Sequence, residues 1–122
     1  MRILAVFGTQ GNMDATLPAI REAFPQAELV PFIDPLLAVK HCLSQKTDSV
    51  VCDYTLRIMD GIQLIKSLQK QNSEVLPILI EYRDWHKKDA RNLGIGYLER
   101  PVSAPALRQV YDQTMRSRLE EL

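Results

Sequence analysis

The sequence has no long hydrophobic run, no excess of either charge and very little cysteine. No apolar stretch approaches the roughly 20 residues of a membrane span, and no basic-then-apolar leader precedes a cleavage site, so we expect a cytoplasmic protein without membrane contact. The 15 Lys and Arg residues balance the 15 Asp and Glu residues, which argues against direct nucleic-acid binding. Cys42 and Cys52 are too few for a disulfide scaffold or a four-ligand zinc site, and we expect both to be reduced.

What the sequence does contain is the composition of one ordinary globular domain. Of its 122 residues, 46% are hydrophobic and 25% are charged, which is the average for globular chains. This apolar content can offset the entropy of folding. We therefore expect a single domain over residues 1–122.

Short apolar runs alternate with helical patterns along the whole chain, which predicts a doubly wound α/β fold with a parallel sheet. The expected strands are 3–7, 27–32, 49–54, 76–80 and 96–99. The expected helices carry the stripes Leu17-Ile20-Phe24, Leu36-Val39-Leu43, Ile62-Ile65-Leu68 and Leu107-Val110-Thr114, with a polar helix from Asp84 to Leu93. Asp34 and Ser103 have the position of helix N-caps, and Gly94 that of a helix end.

In such folds the functional crevice lies at the carboxyl ends of the strands. Asp53 ends a buried apolar strand, where a carboxylate is costly unless it is solvated, paired or used. Met59-Asp60-Gly61 follows it, and Arg100-Pro101 follows the fifth strand.

In this order, these residues resemble the receiver domain of response regulators, the CheY-like phosphoacceptor module of two-component signalling. The resemblance implies five parallel strands in the order 2-1-3-4-5 with five helices. It makes Asp53 the phosphoacceptor and places Arg100 where the family has a lysine. It makes Tyr97 the aromatic residue that switches between buried and exposed positions. The hydroxyl residue that senses the phosphoryl group falls at Tyr82 or Glu81.

The resemblance also implies a regulatory protein rather than an enzyme, with a histidine kinase and an output domain as partners. Asp34-Pro35-Leu36 and Pro101-Val102-Ser103 resemble the subgroup that precedes a LytTR-type DNA-binding domain, which would make the output transcriptional.

Two departures from the family concern magnesium. The family binds Mg²⁺ with acidic residues at the end of the first strand, whereas this chain has Phe7 and Gly8 there, leaving Asp53 and Thr55 as the remaining ligand positions. Hard Mg²⁺ requires oxygen ligands, so we expect no cofactor. Arg57 stands where the family usually has proline, and we expect it to lie beside Asp53 with Arg100.

We interpret the chain as a degenerate receiver that acts through protein contacts and has weakened or lost phosphorylation. The alternative is a working phosphoacceptor at Asp53. Arg116, Arg118, Glu120 and Glu121 suggest a homodimer through the last helix. We expect Trp85 to be an exposed contact residue, and the neighbouring His86 to lie on a solvated helix face.

A second alternative is a small flavodoxin-like binder of flavin or nucleotide. Gly8-Thr9-Gln10-Gly11-Asn12 follows the first strand and resembles a phosphate loop, in which backbone N–H groups surround an anion. The sequence favours a plain structural turn there, because a glycine-rich loop alone is weak evidence.

Overall fold

A computed structural model describes all residues from 1 to 122, and it contains five strands that alternate with five helices. The strands are β1 (Arg2–Val6), β2 (Glu28–Phe32), β3 (Ser49–Asp53), β4 (Leu76–Glu81) and β5 (Gly96–Glu99). The helices are α1 (Gln10–Ala23), α2 (Pro35–Ser44), α3 (Gly61–Gln71), α4 (Lys87–Asn92) and α5 (Ala104–Glu120).

The strands form one fully parallel sheet in the order β2-β1-β3-β4-β5, which confirms the predicted architecture. Val6 pairs with Cys52 and Asp53 with Ile80, so the carboxyl ends of the central strands lie side by side. Pro31 lies in the edge strand β2, where its missing N–H interrupts no inner ladder.

Two hydrophobic cores cover the two faces of the sheet. One packs α1 and α5 against it through residues such as Phe7, Ile20 and Leu107. The other packs α2, α3 and α4 through residues such as Leu64 and Ile65. Burial on both faces explains why the inner strands read as continuous apolar runs. No helix is both long and apolar enough to cross a bilayer.

The helix boundaries follow from local capping chemistry. Asp34 and Ser103 each accept a hydrogen bond from a backbone N–H of the first helical turn, as expected of N-caps. Asp60 and Gln63 form a reciprocal capping box that begins α3. Gly94 follows α4 with a φ of 71°, a left-handed conformation that glycine adopts without a steric penalty.

The structure corrects two helix predictions. The polar helix α4 spans only Lys87–Asn92, because the residues from Asp84 to His86 form a turn in which the Lys87 N–H donates to the Asp84 carbonyl. In α2, Leu36 and Leu43 face solvent. The core contacts come instead from Ala38, Val39 and Cys42. The helix is rotated from the predicted orientation because Pro35 and Ala38 pack against the sheet.

Gly61 allows α3 to begin against the sheet, and this generates a stability prediction. A Cβ at Gly61 would lie 2.4 Å from the Asp53 carbonyl oxygen and 2.6 Å from Leu79 Cδ1. We expect Gly61→Ala to lower the free energy of unfolding by about 2 kcal/mol or more, measured by urea denaturation. Gly11→Ala is the matched control: its Cβ meets only Thr9 Oγ1, at 3.9 Å, so a gain of about 0.5–1 kcal/mol is expected. Equal losses in both variants would contradict this.

Candidate functional site

Asp53 lies at the end of β3 and is 3% exposed. Its Oδ2 accepts hydrogen bonds from the Gly8 backbone N–H and from Asn12 Nδ2, each at 3.0 Å. Its Oδ1 accepts a hydrogen bond from the guanidinium of Arg100. Both carboxylate oxygens are therefore engaged by groups of the protein itself.

Arg100 reaches this carboxylate from the segment that follows β5. Its side chain is 8% exposed, so the ion pair with Asp53 is almost dry. The second terminal nitrogen, Nη1, donates to Thr16 Oγ1 at 2.6 Å. Arg100 thus joins α1 to β3, and a buried charge pair of this kind requires such additional hydrogen bonds to be tolerated.

Tyr82 closes the cluster from the segment after β4. Its hydroxyl donates to Asn12 Oδ1 at 2.7 Å, and the Arg100 guanidinium carbon lies 5.7 Å from its ring centroid. A cavity of about 50 Å³ lies here, lined among others by Asp53, Tyr82 and Trp85. Of the two predicted sensing positions, Tyr82 contacts the Asp53 cluster, whereas the Glu81 carboxylate bonds to His86 and Tyr97.

The residues present do not fit a magnesium ion. The Phe7 side chain is fully buried in the core and Gly8 has none, so neither supplies an oxygen beside Asp53. A Cβ at Gly8 would lie 2.2 Å from the Thr55 carbonyl oxygen, so the backbone fills the space that an acidic side chain would need. No group of three His, Cys, Asp or Glu side chains in the protein is arranged to hold a metal ion.

Arg57, a charge expected near the site, lies elsewhere. Arg57 is exposed and belongs to none of the four ion pairs, so its predicted place beside Asp53 is wrong. The loop after Asp53 turns it toward solvent. Asp14 accepts a hydrogen bond from Gln10 on the exposed surface of α1. Arg100 is therefore the one cation that pairs with Asp53.

The glycine-rich segment does not form the phosphate loop considered above. Helix α1 begins at Gln10, so Gly11 and Asn12 lie in its first turn rather than in a loop. The Gly8 N–H donates to Asp53 and the Asn12 N–H to Thr9 Oγ1. These two backbone donors already have partners within the chain, and the segment is the first turn of a helix rather than a loop that surrounds an anion.

A second polar cluster lies beside the first, and it corrects the prediction for His86. Glu81 Oε1 accepts hydrogen bonds from the His86 N–H at 2.8 Å and the Tyr97 hydroxyl at 2.7 Å, and its Oε2 lies 2.6 Å from His86 Nδ1. The His86 ring stacks on Tyr54 with centroids 3.6 Å apart. His86 is thus half-buried and not on a solvated face, because the buried Glu81 carboxylate requires donors.

Tyr97 is half-buried, and its hydroxyl is hydrogen-bonded within the chain. Burial, its hydrogen bond to Glu81 and the negative charge of that carboxylate raise the pKa of the Tyr97 hydroxyl. The hydroxyl also contacts the backbone carbonyl of Arg83. These contacts fasten β5 to the segment between β4 and α4.

Two site residues, Thr16 and His86, were missed as parts of these clusters. Thr16 follows Asn12 by four residues on α1, and residues at this spacing share one helix face. Asn12 and Thr16 are both polar and share one helix face beside the crevice, and this pattern could have indicated that Thr16 belongs to the site. Nothing local in the sequence distinguished His86 from its polar neighbours.

The comparisons with known proteins support the fold. No protein-family model and no curated protein sequence matches the chain. Among solved structures, the chemotaxis response regulator CheY4 of Vibrio cholerae is 15% identical at a TM-score of 0.75, over 93% of this chain and 97% of that one. A two-component transcriptional regulator AraC from Clostridium phytofermentans ISDg is 21% identical at 0.78, over 98% and 96%.

A third similar structure is the receiver domain of the sensor histidine kinase PA1611 from Pseudomonas aeruginosa PAO1, which has a magnesium ion coordinated in its active-site cleft. It is 18% identical at a TM-score of 0.76, over 94% of this chain and 97% of that one. This chain therefore has the CheY-like fold of response-regulator receiver domains.

The Asp53–Arg100 pair generates a second prediction. Arg100→Met leaves Asp53 buried without its cation, and we expect a loss of about 3–5 kcal/mol in the free energy of unfolding. Asp53→Asn combined with Arg100→Met should lose less than the two single losses added together, because the lone charge is gone. Asp112→Ala, which breaks the exposed Arg108–Asp112 pair, should change stability by about 0.5 kcal/mol or less. If urea denaturation shows that the loss in the double variant equals the sum of the two single losses, the coupling between Asp53 and Arg100 is refuted.

Cys52 generates a third prediction. Burial, and secondarily the charges of Asp53 and Asp60, raise the pKa of its thiol, which keeps it protonated. The thiolate is the reactive form, so we expect a thiol reagent such as Ellman's reagent at pH 8 to modify only the half-buried Cys42 in the folded protein. Cys52 should react only after unfolding. Rapid modification of folded Cys42→Ser would contradict this.

Proposed function

We propose that the protein is a degenerate receiver domain of two-component signalling, which acts through protein contacts and has lost or weakened phosphorylation at Asp53. The observation that carries this proposal is the arrangement of Asp53 itself. Its two oxygens accept three hydrogen bonds, and Arg100 lies where a phosphoryl group would have to approach. In this proposal Arg100, Tyr82 and Tyr97 keep the family's sensing positions in altered form.

The chemistry of phosphoryl transfer explains why this arrangement is unfavourable. The attacking carboxylate needs a free oxygen, and the transferring oxygens need positive charge that a metal usually supplies. Here each Asp53 oxygen already accepts at least one hydrogen bond from the protein, and Phe7 and Gly8 offer no metal ligand. Asp53 and Thr55 alone make a poor magnesium site because Mg²⁺ requires several well-placed oxygens.

The partners follow from the same proposal. We infer a non-enzymatic module in the cytoplasm that contacts an output domain, another protein or a second copy of itself, with transcriptional control as one output. The homodimer contact expected at the last helix needs revision, because Arg118 donates to the backbone carbonyls of Glu74 and Val75 within its own chain. Arg118 is therefore occupied, although Arg116 and Glu120 remain exposed.

A working phosphoacceptor is the second candidate, and one observation favours it. The cavity of about 50 Å³ beside Asp53 is lined by Tyr82 and Arg100, so a hydroxyl and a cation accompany the carboxylate. A rotation of Arg100 away from Oδ1 would free one oxygen. The two candidates therefore differ in whether Asp53 can be released from Arg100.

The deciding experiment measures acetyl phosphate labelling by intact mass. We expect no Mg²⁺-dependent mass increase of a phosphoryl group in the wild-type protein, with a phosphorylatable receiver domain treated in parallel as the positive control. Gly8→Asp should not create labelling, since its side chain meets the Thr55 carbonyl. Labelling of the wild type that disappears in Asp53→Asn would overturn the proposal in favour of the phosphoacceptor.

A further inference from the structure

Large apolar side chains stand exposed around the closed Asp53 site. Ile58 is 75% exposed, Trp85 69% and Tyr82 65%, and we call these three residues the rim patch. They belong to the segments that follow the neighbouring strands β3 and β4, so they share one edge of the sheet. Tyr82 and Trp85 line the same cavity as Thr55, which precedes Ile58 by three residues. Several large apolar residues exposed on neighbouring loops of one sheet edge favour an interaction surface, whereas a single exposed residue does not.

Ile58 occupies a strained backbone conformation. Its φ is 61°, in the left-handed region that β-branched residues avoid. A hydrogen bond of 2.8 Å from the Met59 N–H to the Arg57 carbonyl closes a tight turn around it, and Thr55 pairs with Asp60 at the base of the loop. Glycine or asparagine would adopt this turn more easily. The strained isoleucine gains no burial in the isolated domain, which points to a contact outside it.

The charges around the rim patch have both signs. Arg57, Arg83 and Asp84 are exposed, and none of them takes part in an ion pair of the protein. Arg83 lies next to Asp84 in the chain, and its guanidinium carbon lies 5.9 Å from the Trp85 ring centroid. A two-fold axis through this segment would set Arg83 of one copy against Asp84 of the other. A partner surface that carried only positive or only negative charge would leave either Arg83 or Asp84 without an opposite charge.

We propose that the rim patch is a two-fold symmetric interface between two copies of this chain. The proposal rests on the protein-contact function proposed above and identifies the partner as a second copy. Trp, Tyr and Arg are the side chains enriched at the energetic centres of interfaces. The second copy would cover the mouth of the cavity at Tyr82 and Trp85, so dimerisation and access to Asp53 exclude each other.

The size of the patch sets the expected strength. A fully buried aromatic side chain contributes on the order of 150–250 Å², whereas a standard interface buries about 800 Å² on each partner. Three side chains and their charged neighbours therefore support a weak, reversible dimer rather than a permanent one.

Sedimentation equilibrium over a wide concentration range tests the interface. We expect a concentration-dependent dimer, accompanied by a blue shift of tryptophan emission, since Trp85 is the chain's sole tryptophan. Trp85→Ala and Ile58→Gly should each raise the dissociation constant at least about tenfold, and Ile58→Gly should not lower the melting temperature. The controls Leu119→Ala and Arg116→Glu change exposed positions on α5, and each should alter the dissociation constant less than about twofold.

A charge exchange tests the symmetry. Arg83→Glu and Asp84→Arg should each weaken self-association, because each places like charges across the axis. An equimolar mixture of the two variants should recover the dimer, since every facing pair is then opposite in sign.

Three outcomes would overturn the interface: a wild-type monomer at every concentration, a dimer that the rim variants leave unchanged, or a dimer weakened by the α5 controls instead. Acetyl phosphate labelling is independent of them when it is measured at concentrations where the protein is monomeric. Conversely, labelling at Asp53 would refute the loss of phosphorylation and leave the sedimentation result intact.

Discussion

The buried ion pair between Asp53 and Arg100 is the interaction on which the arrangement of the carboxyl edge depends. A carboxylate that is 3% exposed must be paired and hydrogen-bonded, or it becomes prohibitively costly. The required donors come from three separate parts of the chain: Gly8 after β1, Asn12 on α1 and Arg100 after β5. The hydrogen bonds that these donors make to the Asp53 carboxylate therefore hold the three segments together.

The same pairing limits the chemistry of the site. The groups that make Asp53 tolerable in the interior donate hydrogen bonds to both of its oxygens, and the proposed loss of phosphorylation rests on these contacts. The Thr55 carbonyl next to Gly8 blocks the return of an acidic side chain at that position. The absence of acidic side chains at Phe7 and Gly8 and the closeness of the Thr55 carbonyl to Gly8 are therefore found at the same place in the structure.

The sequence predicted the fold closely because the relevant signals are local. Continuous apolar runs identified the doubly buried strands, and Asp34 and Ser103 marked helix starts whose first-turn backbone N–H groups donate to these side chains. Pro31 lacks the N–H of an inner ladder position, and it lies in the edge strand β2.

The failed predictions concern side chains whose partners are distant in sequence. Arg57 was expected beside Asp53 because of its proximity in the chain, yet its loop turns it outward. His86 was expected to be solvated, but the buried Glu81 carboxylate and the Tyr54 ring hold it. Arg118 bonds to carbonyl groups 43 and 44 residues away. In α2, helical periodicity alone could not determine which side would face the sheet.

By itself, the sequence determined the order of elements, the two-sided burial of the sheet and the absence of acidic residues after β1. These properties depend on residue type and on spacing along the chain. Only the tertiary structure decided that Asp53 is closed by Arg100, that Thr16 and Asn12 complete its surroundings, and that Ile58, Tyr82 and Trp85 stand exposed around it. Those features arise where separate strands end at one edge, and a side chain's orientation there is set by partners that local sequence does not specify.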